Sequence, residues 1–214
     1  SALAEEAERS GAALLVAGVH RRGGGLRGLG HTAGHLVVHA PCPVLLVHAD
    51  DGARAAPEDP AHRPRALVAL EPDDAAAAAA ADALRLLAPP DREDGGFELV
   101  LLEAVHAPAL ALGGEAHGHD ARHAERRSPE LAALERAAAR LRARGHAVPE
   151  LEEPARVTAS ELLERAEARD VDLVVTALRH GGLLGRVGGG AAGRAAPRLP
   201  CPLLAVPLPE DADA

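Results

Sequence analysis

The chain has 214 residues, a formal net charge of −9 and 47% hydrophobic residues, about half of them alanine. All 23 basic residues are Arg, because Lys is absent, as are Asn, Gln, Ile, Met, Trp and Tyr, and Phe97 is the one Phe. These absences exclude a phosphate-binding or Schiff-base lysine and an aromatic platform for single-stranded nucleic acid, and the acidic balance opposes tracking of phosphate backbones or anionic membranes.

In chain order, the patterning predicts a helix near 2–9, a strand at 12–17, a loop at 18–29, a helix at 30–39 and a strand at 43–48. The polar, proline-bearing stretch "DDGARAAPEDPAHRPR" then reads as a linker. "RALVALE" (65–71) suits a short strand buried on both faces, and Asp73 or Asp74 opens a helix to about Leu87. "FELVLLEAV" (97–105) is a second such strand, followed by a polar loop at 106–127. Ser128-Pro129-Glu130 supplies a cap, a first-turn proline and an acid to a helix stopped by Gly145. A short strand at 146–151, a helix from Thr158 or Ser160 to about Arg169, and the strand "VDLVVTA" (171–177) come next. A glycine-rich loop, a helix near 190–198 and the strand "PLLAVP" complete the chain. Alternating β and α with continuous apolar strands predicts an α/β fold, an open parallel sheet with helices on both faces.

The sequence also repeats itself. An offset of 159 residues superposes Leu14 on Leu173, Val16 on Val175, Gly23 on Gly182 and Arg27 on Arg186. Without a gap it then superposes Gly30 on Gly189, Ala33-Gly34 on Ala192-Gly193, and Pro41-Cys42-Pro43 on Pro200-Cys201-Pro202. Residues 1–50 therefore read as the closing half of a first unit, 51–64 as a linker, 65–208 as a complete unit and 209–214 as a tail. The absent residue types are largely those with AT-rich codons, which points to the genome of a GC-rich bacterium. No apolar run reaches the ~18 residues of a membrane helix, and Ser1 opens no basic-then-apolar leader, so a cytoplasmic location is expected. Cys42 and Cys201 are expected to be buried, reduced thiols.

The segments "GAALLVAGVHRRGGGLRGLGHTAGHLVVHAPCPVLLVH", "RALVALEPDD", "FELVLLEAV" and "VDLVVTALRHGGLLGRVGGG…CPLLAVP" resemble the universal stress protein family. The resemblance implies a tandem-type arrangement, with strand order 3-2-1-4-5 in a complete unit and a first unit that lacks its beginning. It also implies a nucleotide loop of the form Gly-x2-Gly-x9-Gly-Ser/Thr, with an Asp ending the first strand. Many members bind ATP; others do not, and act as stress-linked or regulatory proteins. The physics of such a loop is backbone N–H groups and a helix N-terminus facing phosphate.

Both copies here depart from that pattern. The first offers Gly18, Arg21, Gly30 and His31, and the second Ala177, His180, Gly189 and Gly190, with the last interval one residue short and the hydroxyl missing. Glu71 stands in the place of the Asp. By resemblance, adenine and ribose contacts map to Glu71, Ala104 and Thr176, and the loop contacts to Ala177, His180, Gly189, Gly190 and Ala191. A side chain at His180 obstructs the close backbone approach that glycine permits, while Arg21 or Arg186 could meet phosphate directly.

Histidine offers a second chemistry. His31, His35 and His39 recur every four residues on one predicted helix, a spacing that brings two imidazoles to one metal, although no Cys or carboxylate accompanies them locally. That row is read as a solvated face, and His117, His119, Asp120 and His123 as part of a polar loop; no metal site is assigned. Ser1, Ser10, Ser128 and Ser160 are the only serines and none sits in a nucleophile elbow.

The expectation is a non-enzymatic stress-response or regulatory protein with a degenerate nucleotide loop. The alternatives are a genuine ATP/AMP-binding member and, more weakly, a metal-binding module built on the loop histidines. ATP is the only cofactor the resemblance brings in. The closing strands of the two units, 43–48 and 202–207, are expected to meet across a pseudo-two-fold axis. The expected partner is a further copy of the chain, as a homodimer or higher oligomer through the last-strand interface, or a regulatory protein, with neither nucleic acid nor membrane.

Overall fold

A computed structural model describes residues 2–19, 29–48, 63–70, 74–88, 97–104, 120–155, 159–179 and 195–208. The first part of the chain contains α1 (Ala2–Ser10), β1 (Leu15–Val19), α2 (His31–His39) and β2 (Val44–His48). The second contains β3 (Arg65–Leu70), α3 (Asp74–Arg85), β4 (Glu98–Ala104), α4 (Asp120–Ala143), β5 (Ala147–Ala155), α5 (Ala159–Ala168), β6 (Leu173–Arg179) and β7 (Leu203–Leu208). A 3-10 turn at Ala196–Arg198 precedes β7.

Three helices stop in the same way. After α4, Gly145 takes a φ of +89°, with Gly145 N–H donating to Arg142 O and His146 N–H to Leu141 O. That reversal satisfies carbonyls the helix end would otherwise strand. Gly11 after α1 and Asp170 after α5 do the same, at φ of 63° and 48°. They are repeat partners, so one copy uses the residue suited to a left-handed backbone and the other an acid that tolerates it.

The seven strands among the described residues form one sheet in the order β1-β2-β7-β6-β3-β4-β5. The five-strand order expected for a single unit thus does not describe the whole sheet, which extends through β2 and β1. Every pairing is parallel except β2 with β7. In β1–β2, Leu15 faces Val44 and Val19 faces His48; in β6–β7, Val174 faces Leu203 and Leu178 faces Pro207. The two parallel pairs therefore share one register, displaced by the offset seen in the sequence. Their entry bonds match too, Leu15 N–H to Pro43 O at 2.9 Å and Val174 N–H to Pro202 O at 3.0 Å.

The antiparallel junction is centred on that repeat. Leu45 faces Leu204, while Val44 faces Ala205 and Leu46 faces Leu203. Leu45 and Leu204 are equivalent positions, so a local two-fold passes between them. The closing strands meet within one chain as expected.

Two cores fill the faces of the sheet. On one, Ala33, Leu36 and Val37 of α2 and Leu162, Leu163 and Ala166 of α5 pack with Val44, Leu46, Leu67, Val174, Leu203 and Ala205. On the other, α3 and α4 cover Val68, Leu101, Val175, Leu204 and Val206. Buried alanines of α3, at Ala76, Ala77, Ala80 and Ala81, let that helix lie close to the strands. Arg140 to Asp74 at 2.8 Å and Arg144 to Asp82 at 3.1 Å tie α4 to α3 at the surface, each worth about 0.2–1 kcal/mol. Cys42 and Cys201 are buried free thiols. No helix among the described residues is long and apolar enough to cross a membrane.

Three boundaries differ from expectation. Helix α4 begins at Asp120 rather than Ser128, so Pro129 lies inside it and the loop expected at 106–127 is shorter. The Ala-, Arg- and Glu-rich run ahead of Ser128 has enough helix propensity to extend the helix past a cap-like signature. Strand β5 runs to Ala155 through Pro149 and Pro154. It is the edge of the sheet, where proline and charge are tolerated because one side of the backbone needs no ladder. Strand β1 starts at Leu15 rather than residue 12 because the turn after Gly11 and the bond to Pro43 set its entry. The helix expected near 190–198 is described only from residue 195, and the tail and most of the linker lie outside the described residues.

His146 is buried, and its Nε2–H donates to Ala81 O at 3.0 Å, leaving Nδ1 without a partner. Burial holds its pKa below the ordinary value of 6.5. The unfolded chain then takes up the proton more readily than the native one, so the stability is full above pH 6.5 and falls as pH drops toward the lowered native value. His146→Gln is expected to flatten that acid limb in a series of urea midpoints. Ala80→Leu is expected to cost about 1–3 kcal/mol by overpacking α3 against the sheet, read as a lower urea midpoint at constant slope. Ala75→Leu on the exposed side of the same helix should shift it by less than about 0.5 kcal/mol.

Candidate functional site

Strand β3 lies between β4 and β6. The chain leaves β3 for β4 on one side and returns to β6 on the other, and this reversal opens a crevice at the strands' carboxyl ends. Leu70 ends β3 opposite Glu103, and Ala104 ends β4 opposite Ala155. Thr176 of β6 stands opposite Ala69 of β3 and Ala205 of β7, with Ala177 next, opposite Val206. Ala104 closes β4, and Thr176 and Ala177 lie within β6, on the two strands that flank β3. Thr176 is buried at 8% exposure, a polar group beneath the crevice. Glu71, His180, Gly189, Gly190 and Ala191 lie outside the described residues, as does Arg186.

The equivalent place in the first part of the chain is built differently. Gly18 sits in β1 opposite Val47, and β1 is the sheet's other edge, with no strand beyond it among the described residues. A crevice there lacks the wall that β3 supplies to β6. Gly30 precedes α2 with φ −54° and ψ 159°, no side-chain cap, and no atom within 4 Å of where a Cβ would stand. Neither backbone geometry nor space therefore requires glycine at that position. Arg21 is outside the described residues, and His31 is the exposed first residue of α2.

The histidines fall into two groups. His48 and His146 are buried, and both use Nε2–H on a backbone carbonyl, His48 on Ala196 O at 2.7 Å. His48 thereby straps β2 to the 3-10 turn of the second half, a contact with no local signal, since its repeat partner is Pro207. His31, His35 and His39 do line one side of α2, with ring centroids 6.5 Å apart for the first pair and 4.3 Å for the second. His35 and His39 border an open groove of about 370 Å³ together with Ala4, Glu5, Glu8 and Pro41. The carboxylates missing from the local sequence come from α1 instead, brought there by the fold. The His35 imidazole is held below the usual histidine range, first by lost hydration and, among lesser causes, by repulsion from His39 and His31. Of the loop histidines, His117 and His119 lie outside the described residues, while Asp120 and His123 belong to the first turn of α4. Among the described residues no three His, Cys, Asp or Glu side chains are arranged to hold a metal ion.

Because α2 starts without a side-chain cap, Gly30→Ser is expected to stabilise the chain by a few tenths of a kcal/mol, roughly the Ser–Gly difference at this position. Thermal unfolding in a buffer free of phosphate and sulfate reads that gain as a small rise in Tm.

A model of the Universal stress protein family matches residues 1–48 and 62–207. Among solved structures, a universal stress protein from Archaeoglobus fulgidus DSM 4304 is 16% identical, with a TM-score of 0.56 over 98% of this chain and 66% of its own. A putative universal stress protein from Pseudomonas aeruginosa UCBPP-PA14 is 17% identical, with a TM-score of 0.50 over 95% of this chain and 66% of its own. A functionally unknown protein from Pseudomonas aeruginosa PAO1 is also 17% identical, with a TM-score of 0.52 over 98% of this chain and 67% of its own. Identities this low speak for the fold alone, and the chain spans just under two thirds of the length of the first of these. No curated protein matches it. With the family model matching nearly the whole chain, the chain belongs to the universal stress protein family.

Proposed function

We propose that the protein is a non-enzymatic stress-response or regulatory member of its family, built from one complete unit and the closing half of another, and that its nucleotide crevice is degenerate. The observation that carries this reading is the residue chemistry of the loop pattern's second copy in the sequence. Ala177 and His180 replace the glycines of the loop pattern, and Gly190 and Ala191 supply no hydroxyl at its close. With no lysine in the chain, a bound phosphate would depend on backbone N–H groups, Arg or His. Replacing Gly by His narrows the approach those N–H groups need. Nothing in this chemistry supplies a nucleophile paired with a base, which is why the reading is regulatory rather than catalytic.

A genuine ATP- or AMP-binding member is the second reading, supported by Ala104 at the end of β4 and by Thr176 at the last pairing of β6 with β3. Association with further copies of the chain belongs to the same proposal, but not through the closing strands β2 and β7, which pair with each other within the chain; β1 instead offers an edge with one unused side among the described residues. Calorimetric titration with ATP and Mg²⁺, repeated with AMP, separates the two readings. The degenerate site gives no saturable heat at millimolar nucleotide; saturable binding that Thr176→Val weakens would establish the second reading instead.

A further inference from the structure

We propose that His35 and His39 of α2 form a two-imidazole site for a divalent transition-metal ion, at the groove that α2 shares with Glu5 and Glu8 of α1. The two rings are one helical turn apart, with centroids separated by 4.3 Å. Chelation by histidines at i and i+4 needs only small side-chain rotations, because a helix places those positions on one face. The groove is open, and it is bordered by both rings and by two carboxylates from the neighbouring helix. Its other borders are Ala4 and Pro41.

The chemistry of the donors selects the ion. Neutral imidazole suits Zn²⁺, Ni²⁺ and Cu²⁺, whereas Ca²⁺ and Mg²⁺ require a cage of oxygens. Two protein nitrogens leave the remaining coordination positions to water, consistent with the absence of a three-ligand arrangement among the described residues. Glu5 and Glu8 add negative potential at the same place, without being required as ligands. His31 is a control supplied by the sequence itself. It stands on the same helix, but its ring is 6.5 Å from that of His35 and it does not border the groove. This proposal is independent of whether a nucleotide binds at the switch point.

The test titrates the full chain with Cu²⁺, the strongest of these ions for nitrogen donors, following visible absorption and heat. One site is expected, weakened about tenfold or more in His35→Ala and in His39→Ala, and unchanged in His31→Ala. A triple variant of His117, His119 and His123 to Ala should leave this site intact. The proposal is overturned if the chain binds no Cu²⁺, if His35→Ala binds as the parent does, or if only the triple variant loses binding. Far-UV circular dichroism of each variant checks the fold, and His39→Gln serves as a second probe of the same ligand should His39→Ala unfold.

Discussion

The antiparallel junction between β2 and β7 is the constraint on which the rest of the structure depends. A parallel pair such as β1–β2, with only α1 and α2 beside it, cannot bury itself in water. Joined to β7, it becomes the end of a seven-stranded sheet, and Val44, Leu46 and Leu203 fall to 1% exposure. The junction is centred on Leu45 and Leu204, so each half meets the other through the same residues. That symmetry explains why one core contains α2 from the first part and α5 from the second. It also explains why the strap from His48 to Ala196 O runs from one half to the other. Two like units meeting strand to strand need only one complementary surface, since each presents it to the other.

Much of this was legible because strands buried on both faces leave a continuous apolar signature. "RALVAL", "ELVLLEA" and "VLLVH" could be placed to within a residue or two without knowledge of their neighbours. One error fell where the decisive partner is distant in sequence, and another where neighbouring local signals compete. The end of β5 depends on its being an edge strand, which only the assembled sheet decides. The start of α4 shows that a Ser-Pro-Glu signature marks a permitted helix start and does not compel one, because the preceding residues can outweigh it. The paired helix stops at Gly11 and Asp170 make the same point in reverse. One backbone geometry is encoded by two residue types, so the glycine predicts the turn and the acid does not.

The candidate sites divide in the same way. The assignment of Ala104, Thr176 and Ala177 rests on the family resemblance, and the β–α alternation supplies only the strands that carry them, β4 and β6 on either side of β3. The local sequence around His35 and His39 contains no acid, and α1 lies more than twenty residues earlier in the chain. Only the packing of α1 beside α2 puts Glu5 and Glu8 at their groove. A periodic row of histidines is readable; what faces it across a groove is not. His146 was equally hidden, because nothing next to Gly145 indicates that its ring will turn inward to a carbonyl of α3.

The repeat also shows how far equal sequence can differ in environment. Val16 and Val175 are equivalent and identical, yet Val16 is 61% exposed and Val175 fully buried. Leu45 is likewise only partly buried while Leu204 is sealed. The difference lies in what covers one face of the sheet. Helix α3 lies over β6 and β7 on the side of Val175 and Leu204, with α4 beside it over β4 and β5, and among the described residues nothing comparable lies over β1 and β2. The first half is therefore held on one face, by α1 and α2, and along one edge, by β7. Burying Val16 as Val175 is buried would be worth roughly 1.5–3 kcal/mol on transfer grounds alone, and this half does without it. Its stability must come through the junction, so a weakness at Leu45–Leu204 would be felt first at β1 and α2, far from the switch point.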